Sequence, residues 1–132
     1  MQKRYITENI INCRDLGGYP CKGGATAYGR ILRAGIARTP SETDLEILRK
    51  FGIKTVIDLR GNGEAEDMPS YFKNNPEFDY YHITLLEANP AMARGEMTMV
   101  ELYELCLRDY SENIAKVLKV IASLNEPFMF HC

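Results

Sequence analysis

The sequence predicts an α/β domain whose central, mostly parallel sheet is flanked by helices. A helical pattern over residues 39–51 is followed by Gly52 and by the apolar, β-branched run 53–60. A second helical pattern over 112–124 leads into the short apolar run 128–130. A helix, a turn and a buried strand in this order are typical of α/β folds with parallel strands.

The composition is that of one ordinary globular domain, which we expect to span 1–132. Hydrophobic residues make up 45% and charged residues 26%, close to average values. The net charge of −2 argues against a nucleic-acid partner, for which a basic excess is expected. The apolar runs are too short for a membrane span or a signal peptide. Four cysteines are few for a disulfide scaffold and favour a cytoplasmic location, although secretion without a signal peptide stays open.

The other elements follow from local patterns. Thr43 and Glu46 have the spacing of a helix capping box, and Gly52 has the position of a residue just past a helix end. Ser111 is suited to cap the helix over 112–124. The remaining predictions are strands over 29–35 and 78–85, a short helix or turn over 69–75, a loop over 86–96 and a helix over 98–110.

Polar side chains stand where the predicted strands end. Asp58 and Arg60 are two residues apart and therefore share one face of their strand. His131 and Cys132 directly follow the final apolar run. Because ligands bind beyond the carboxyl ends of the strands in open α/β sheets, these residues are candidates for a site. Arg33, near the end of its strand, is a candidate anion contact or an ordinary surface charge.

Structural interpretations compete with the functional ones. Arg14 and Asp15, beside the Gly17-Gly18 turn, form either an anion site or a local ion pair, and the local pair is favoured. His82 reads as a core or face residue, and Cys106 as a packing residue. A zinc site could be assembled from residue types alone, but the spacing matches no common pattern; its candidates would be His82, Cys106, His131 and Cys132.

Four blocks in order carry a resemblance to a known family. They are Asn12-Cys13-Arg14-Asp15-Leu16-Gly17-Gly18, Gly29-Arg30-Ile31-Leu32-Arg33-Ala34-Gly35, Gly52-Ile53-Lys54-Thr55-Val56-Ile57-Asp58-Leu59-Arg60 and Phe130-His131-Cys132. Together they resemble the bacterial Cys-based tyrosine phosphatases of the atypical, dual-specificity-like branch, whose signature loop reads H-C-x-x-G-K-D-R-T-G. The sequence departs from this pattern at Cys13, where such proteins commonly carry an aromatic residue.

The resemblance implies a tyrosine-phosphatase-like fold and hydrolysis of phosphomonoesters through a phosphocysteine intermediate. Cys132 matches the nucleophile, and His131 matches the residue that orients the loop and tunes the thiolate. The blocks that contain Arg14, Asp15, Asp58 and Arg60 border the substrate pocket. No metal or cofactor is implied. The implied substrates are phosphotyrosine proteins, with phosphoserine, phosphothreonine and phosphoinositides as further members.

The signature loop continues past its cysteine, whereas residue 132 is that cysteine here. The loop amides, the phosphate-binding Arg, the loop Asp often taken as general acid and the C-terminal helices would all follow it. Glu87 is a weak substitute for the acid. We therefore expect residues 1–132 alone to be inactive, and we expect the uncovered sheet surface to favour self-association.

Two other classes of protein stay open. The first is a pseudophosphatase or fragment that binds a partner or phosphate without turnover; a G-K-D-R-like continuation would argue against it. The second is a rhodanese-type sulfurtransferase, which also carries a Cys between a strand and a helix. The blocks at 12–18 and 52–60 argue against that class.

Overall fold

A six-stranded mixed sheet forms the centre of the computed structural model, which describes residues 3–132. Its strands lie in the order β1-β2-β5-β8-β6-β7, and β3 and β4 form a separate hairpin. Strands β5, β8, β6 and β7 are parallel, whereas β1 and β2 are antiparallel additions at one edge. The predicted α/β class with a mostly parallel sheet is confirmed. The strand bounds are β1 Lys3–Arg4, β2 Arg14–Asp15, β3 Pro20–Cys21, β4 Gly24–Ala25, β5 Ile31–Ala34, β6 Thr55–Asp58, β7 Asp79–His82 and β8 Phe128–His131.

Helices cover both faces of the sheet. On one face, Leu45 and Leu48 of the first helix join a core with Val56 and Met129. On the other face, Val117 of the last helix joins a smaller core that includes Ile57, Leu59 and Phe128. The helix bounds are α1 Glu42–Phe51, α2 Asn62–Asp67, α3 Pro90–Ala93, α4 Met99–Asp109 and α5 Ser111–Ser123, with a 3-10 turn at Tyr71–Asn74.

The start of α1 is built by a capping box two residues earlier than the sequence pattern predicts. Ser41 is the N-cap, and its hydroxyl accepts from the Asp44 backbone N–H at 3.1 Å, while Asp44 accepts from the Ser41 N–H. The prediction of Thr43 and Glu46 as the box is wrong, since both lie inside the helix. The prediction for Gly52 is confirmed: it ends the helix at φ 89°, a left-handed conformation that glycine adopts without strain.

Asp44 also anchors the segment before the sheet. Its buried carboxylate accepts from the backbone N–H groups of Glu8 at 2.7 Å and Asn9 at 2.9 Å. Burial alone would raise the pKa of this carboxyl, but the hydrogen bonds from Glu8, Ser41 and Asn9 outweigh it and hold the pKa below its usual value. One side chain thus ties the N-terminal segment to the start of α1.

Replacing Asp44 by alanine is expected to lower the free energy of unfolding by about 2–3 kcal/mol, because three partly buried N–H groups lose a charged acceptor. Urea denaturation at pH 7 measures the change. Because the folded pKa is depressed, the contribution is present above the unfolded carboxyl pKa and is lost as the pH falls through the folded value. A destabilisation that stays undiminished at low pH would contradict the prediction. The matched control is Glu46→Ala, on the exposed side of the same helix.

Three other local predictions need correction. Ser111 is the first residue of α5 rather than its N-cap, which is Tyr110. The segment predicted as a loop over 86–96 contains α3, whose N-cap Asn89 accepts from the Met92 N–H at 2.9 Å. The strands predicted over 29–35, 53–60 and 78–85 are shorter in the structure, because the residues at their ends belong to the connecting turns, whereas the last strand extends by one residue to His131. Among residues 3–132, no helix is long and apolar enough to cross a membrane.

Candidate active site

His131 and Cys132 lie at the carboxyl edge of the parallel strands. β8 is an interior strand between β5 and β6, and His131 is in register with Ala34 on one side and Asp58 on the other. Cys132 follows directly and is exposed. Side chains alternate along a strand, so His131 and Asp58 share one face of the sheet and Cys132 belongs to the opposite face.

His131 is fully buried beneath this edge. Its Nε2 lies 3.4 Å from the Ser70 hydroxyl, and its Nδ1 lies 3.8 Å from an Asp58 carboxylate oxygen. Burial lowers the pKa of the imidazole; the Asp58 charge opposes this effect, and Arg60 and His82 add to it. Burial therefore favours the neutral form of the ring, which can accept a hydrogen bond at one nitrogen.

Asp58 and Arg60 form a buried ion pair. Both side chains are fully buried, and the guanidinium contacts both carboxylate oxygens, with its Nη2 2.8 Å from Oδ2. Burial alone would raise the pKa of the Asp58 carboxyl, but the hydrogen bonds from Arg60 and Tyr80, with the nearby His131 and the Arg60 backbone N–H, hold it below its usual value. The Tyr80 hydroxyl donates to Oδ2 at 2.5 Å. The two charged side chains therefore face each other inside the protein and not the solvent.

Arg60 also joins β6 to the segment that follows it. Its Nη1 donates to the Met68 carbonyl at 2.7 Å, at the end of α2. The Arg60 carbonyl in turn lies 2.8 Å from His82 Nε2 on β7. The ion pair therefore positions the turn after β6 against both its neighbours, and His82 serves as a link between strands.

The surroundings of Cys132 disfavour a thiolate. Partial burial raises the pKa of the thiol, and the Glu64 and Asp58 carboxylates raise it further. Arg60 and Arg33 act in the opposite direction without reversing the result. A thiol nucleophile reacts as the thiolate, a form that these surroundings do not favour at Cys132.

The two N-terminal candidates occupy different faces of β2. Asp15 is buried and accepts from the backbone N–H groups of Gly17 at 2.9 Å and Gly29 at 2.8 Å, so its carboxylate joins two turns. Arg14 points to the other face, where it is in register with Arg33 of β5. The structure thus brings Arg14, and not Asp15, to the face of the sheet to which Cys132 belongs.

The remaining polar candidates have other partners. The Glu87 carboxylate accepts from the Asn62 backbone N–H at 2.9 Å and from the Asn62 side-chain amide at 2.6 Å. It therefore holds the loop after β7 against the first residue of α2. His82, His131, Cys106 and Cys132 do not converge: within residues 3–132, no group of three or more such side chains could hold a metal ion.

Two contributors to the site carried no sequence signal. Ser70 lies between α2 and the 3-10 turn, and Tyr80 lies inside β7; each reaches the site only through the tertiary fold. The register of β6 with β7 places Tyr80 beside Val56, and no spacing along the chain predicts that pairing.

A cavity of about 500 Å³ lies at the opposite end of β5, lined by Leu16, Tyr19, Thr26, Ala27, Arg30 and Ile31.

Cys132 thus lies at the carboxyl edge of an interior parallel strand, the position at which open α/β proteins bind their ligands. A family model described as the tyrosine phosphatase family matches residues 5–132. The chain belongs to the tyrosine phosphatase family.

A relative named "Putative tyrosine-protein phosphatase" from Cupriavidus necator is 30% identical over 138 residues. That alignment covers 95% of this chain and 50% of the relative. The chain therefore spans about half the length of the curated relative that it matches.

Proposed function

We propose that the protein hydrolyses phosphomonoesters, with Cys132 as the nucleophile and phosphotyrosine as the primary substrate. The single observation that carries this proposal is the position of Cys132 directly after β8, between the carboxyl ends of β5 and β6. Membership in the tyrosine phosphatase family supports the reaction class. The four cysteines are free thiols, which a reducing cytoplasm maintains.

The reaction has two steps. The Cys132 thiolate attacks phosphorus, an S–P bond forms, and the P–O bond to the substrate breaks while the departing oxygen takes a proton. Water then attacks the phosphocysteine, which releases inorganic phosphate and regenerates the thiolate. Glu87 is poorly placed to donate this proton, because its carboxylate accepts hydrogen bonds from Asn62.

The thiolate has to be stabilised by groups that follow Cys132 in the family's signature loop. Backbone N–H groups aimed at the sulfur and at the phosphate oxygens perform this role in such loops. The residues within 3–132 raise the pKa of the thiol on balance, so activation by that loop is a requirement of the proposal.

The other predicted site residues receive different roles. We assign His131 to positioning, because it is buried between Ser70 and Asp58 and holds the end of β8. Asp58 and Arg60 position the turn beside the thiol as a buried pair. We assign Arg14 to substrate binding, since it lies on the same face of the sheet as Cys132. Asp15 supports the two turns that contain Gly17 and Gly29.

The test is to trap the intermediate on the full-length protein. Acid quenching during turnover of p-nitrophenyl phosphate, followed by peptide mass spectrometry, is expected to find one phosphoryl group on the peptide that contains Cys132. Turnover with the label on another residue, or with no covalent label at any quench time, would overturn the mechanism. Binding of phosphate without turnover would instead support a pseudophosphatase.

A further inference from the structure

The two ring nitrogens of His131 face different kinds of polar group. The Ser70 hydroxyl, which has a proton to donate, lies 3.4 Å from Nε2, and an Asp58 carboxylate oxygen, which has none, lies 3.8 Å from Nδ1. His131 and Asp58 are fully buried, and Ser70 is 4% exposed. Because electrostatic interactions are strong in a buried environment, these two neighbours determine which nitrogen of the ring carries the proton.

The two possible neutral forms of the ring differ in how they meet these neighbours. A neutral imidazole has one protonated nitrogen and one with a lone pair, and burial favours the neutral form of His131. With the proton on Nδ1, the N–H faces the Asp58 carboxylate and the Nε2 lone pair accepts from the Ser70 hydroxyl. With the proton on Nε2, the Nδ1 lone pair would face the same negative charge. The form protonated on Nδ1 is therefore favoured.

The two neighbours act on the ring in different ways. The Asp58 carboxylate already accepts hydrogen bonds from the Arg60 guanidinium through both oxygens and from the Tyr80 hydroxyl. At 3.8 Å it influences Nδ1 through its charge, and Nδ1 has no hydrogen-bond partner among residues 3–132. The hydrogen bond that orients the ring is therefore the one from Ser70 to Nε2.

Contacts on both sides of Ser70 fix the position of its hydroxyl. Two residues before it, the Met68 carbonyl accepts from the Arg60 guanidinium at 2.7 Å. Directly after it, the Tyr71 N–H donates to the Ala37 carbonyl at 2.9 Å. The same guanidinium also binds the carboxylate beside Nδ1, so one side chain helps to position both neighbours of the ring.

We propose that Ser70 is a positioning residue for the reaction at Cys132: with the Asp58 carboxylate, its hydroxyl holds His131 in one tautomer and one orientation. This inference rests on the proposed function and adds a residue to its site. His131 directly precedes the nucleophile, so a ring that shifts also moves the backbone that carries the thiol. A displacement of about 1 Å at an active site costs on the order of a hundredfold in rate. A weaker hold on the ring is therefore expected to lower kcat.

Nuclear magnetic resonance measures the tautomer on the full-length Cys132→Ser protein, without turnover. Two-bond proton–nitrogen correlation spectra of histidine-labelled protein distinguish protonated from unprotonated ring nitrogens, and a His131→Gln spectrum assigns the signals. We expect the proton on Nδ1. Adding Ser70→Ala is expected to shift the Nε2 resonance, because that nitrogen loses its donor. A proton on Nε2, or an Nε2 resonance that Ser70→Ala leaves in place, overturns the proposal.

Steady-state kinetics with Cys132 intact measure the effect on the reaction. Ser70→Ala is expected to lower kcat for p-nitrophenyl phosphate by about threefold to tenfold, the range of one ordinary hydrogen bond. KM should stay within about twofold, because the hydroxyl is bonded to the ring and not to the substrate. Ser70→Thr keeps a hydroxyl and is expected to recover most of the loss. An unchanged kcat for Ser70→Ala, or a rise in KM alone, overturns the proposal.

Ser123→Ala is the matched control. It removes a serine hydroxyl that donates to the Val120 carbonyl on the exposed side of α5, and it should leave kcat within about twofold. Urea denaturation of each variant separates positioning from a loss of folding. A fall in kcat for Ser70→Ala that only follows its unfolded fraction, or that Ser123→Ala reproduces, rejects the role of Ser70. Absence of turnover by the wild-type protein would instead reject the proposed function, while the spectra would still decide the tautomer of His131.

Discussion

Replacing Arg60 by methionine is expected to lower the free energy of unfolding by about 3–5 kcal/mol, since removal of one partner strands a buried charge. Asp58 would lose every guanidinium contact and keep the Tyr80 hydroxyl and the Arg60 backbone N–H as its donors. The Met68 carbonyl would lose its partner as well. Urea denaturation of the purified variant measures the loss.

Arg49→Met is the matched control for this prediction. Arg49 also pairs with carboxylates, those of Glu42 and Glu77 at 2.6 Å, but its side chain is 41% exposed. Exposed pairs contribute up to about 1 kcal/mol, so the control should be much less destabilised. Equal losses in the two variants would show that burial of the Asp58–Arg60 pair does not determine its contribution to the free energy of unfolding.

Replacing Cys132 by serine is expected to reduce the kcat for p-nitrophenyl phosphate at least about a thousandfold in the full-length protein. Serine has nearly the same shape, but its hydroxyl does not ionise near neutral pH and is a far weaker nucleophile. Phosphate binding should survive, since the oxygens are bound by other groups. Initial rates together with isothermal titration of phosphate separate the two effects.

Cys21→Ser provides the control for thiol chemistry in general. Cys21 is an exposed free thiol on the β3–β4 hairpin, remote from the carboxyl edge of the parallel strands. Its replacement should leave kcat within about twofold, the range of an ordinary surface substitution. Residual turnover of the Cys132→Ser protein close to the wild-type rate would contradict thiol catalysis.

Local sequence patterns correctly predicted those helices and strands in which residue propensity and side-chain burial favour the same structure. Val56 and Ile57 lie in a strand buried on both faces, and such strands read as continuous apolar runs. Gly52 follows a helix that ends where the pattern ends. The capping box was misplaced because residues 41–44 and 43–46 both fit the motif, and contacts of Asp44 with Glu8 and Asn9 decide between them.

The site was only partly predictable from the sequence. The pattern places Asp58 and Arg60 on one face, but whether two opposite charges face solvent or each other depends on what covers them. Here β7 contributes Tyr80, and the chain after α2 contributes the Met68 carbonyl. The proximity of Arg4, Arg14 and Arg33 was equally hidden, because they come together through an antiparallel register that the sequence does not specify.

The insertion of β8 between β5 and β6 determines the order in which the sheet can assemble during synthesis. The ribosome releases β5 and β6 long before β8, yet neither pairs with the other. A nascent chain therefore carries two partial sheets, β1-β2-β5 and β6-β7, each with an open edge that can pair wrongly. Contacts between such distant residues slow folding, so we expect chaperone dependence to concentrate in the interval before residues 128–131 emerge.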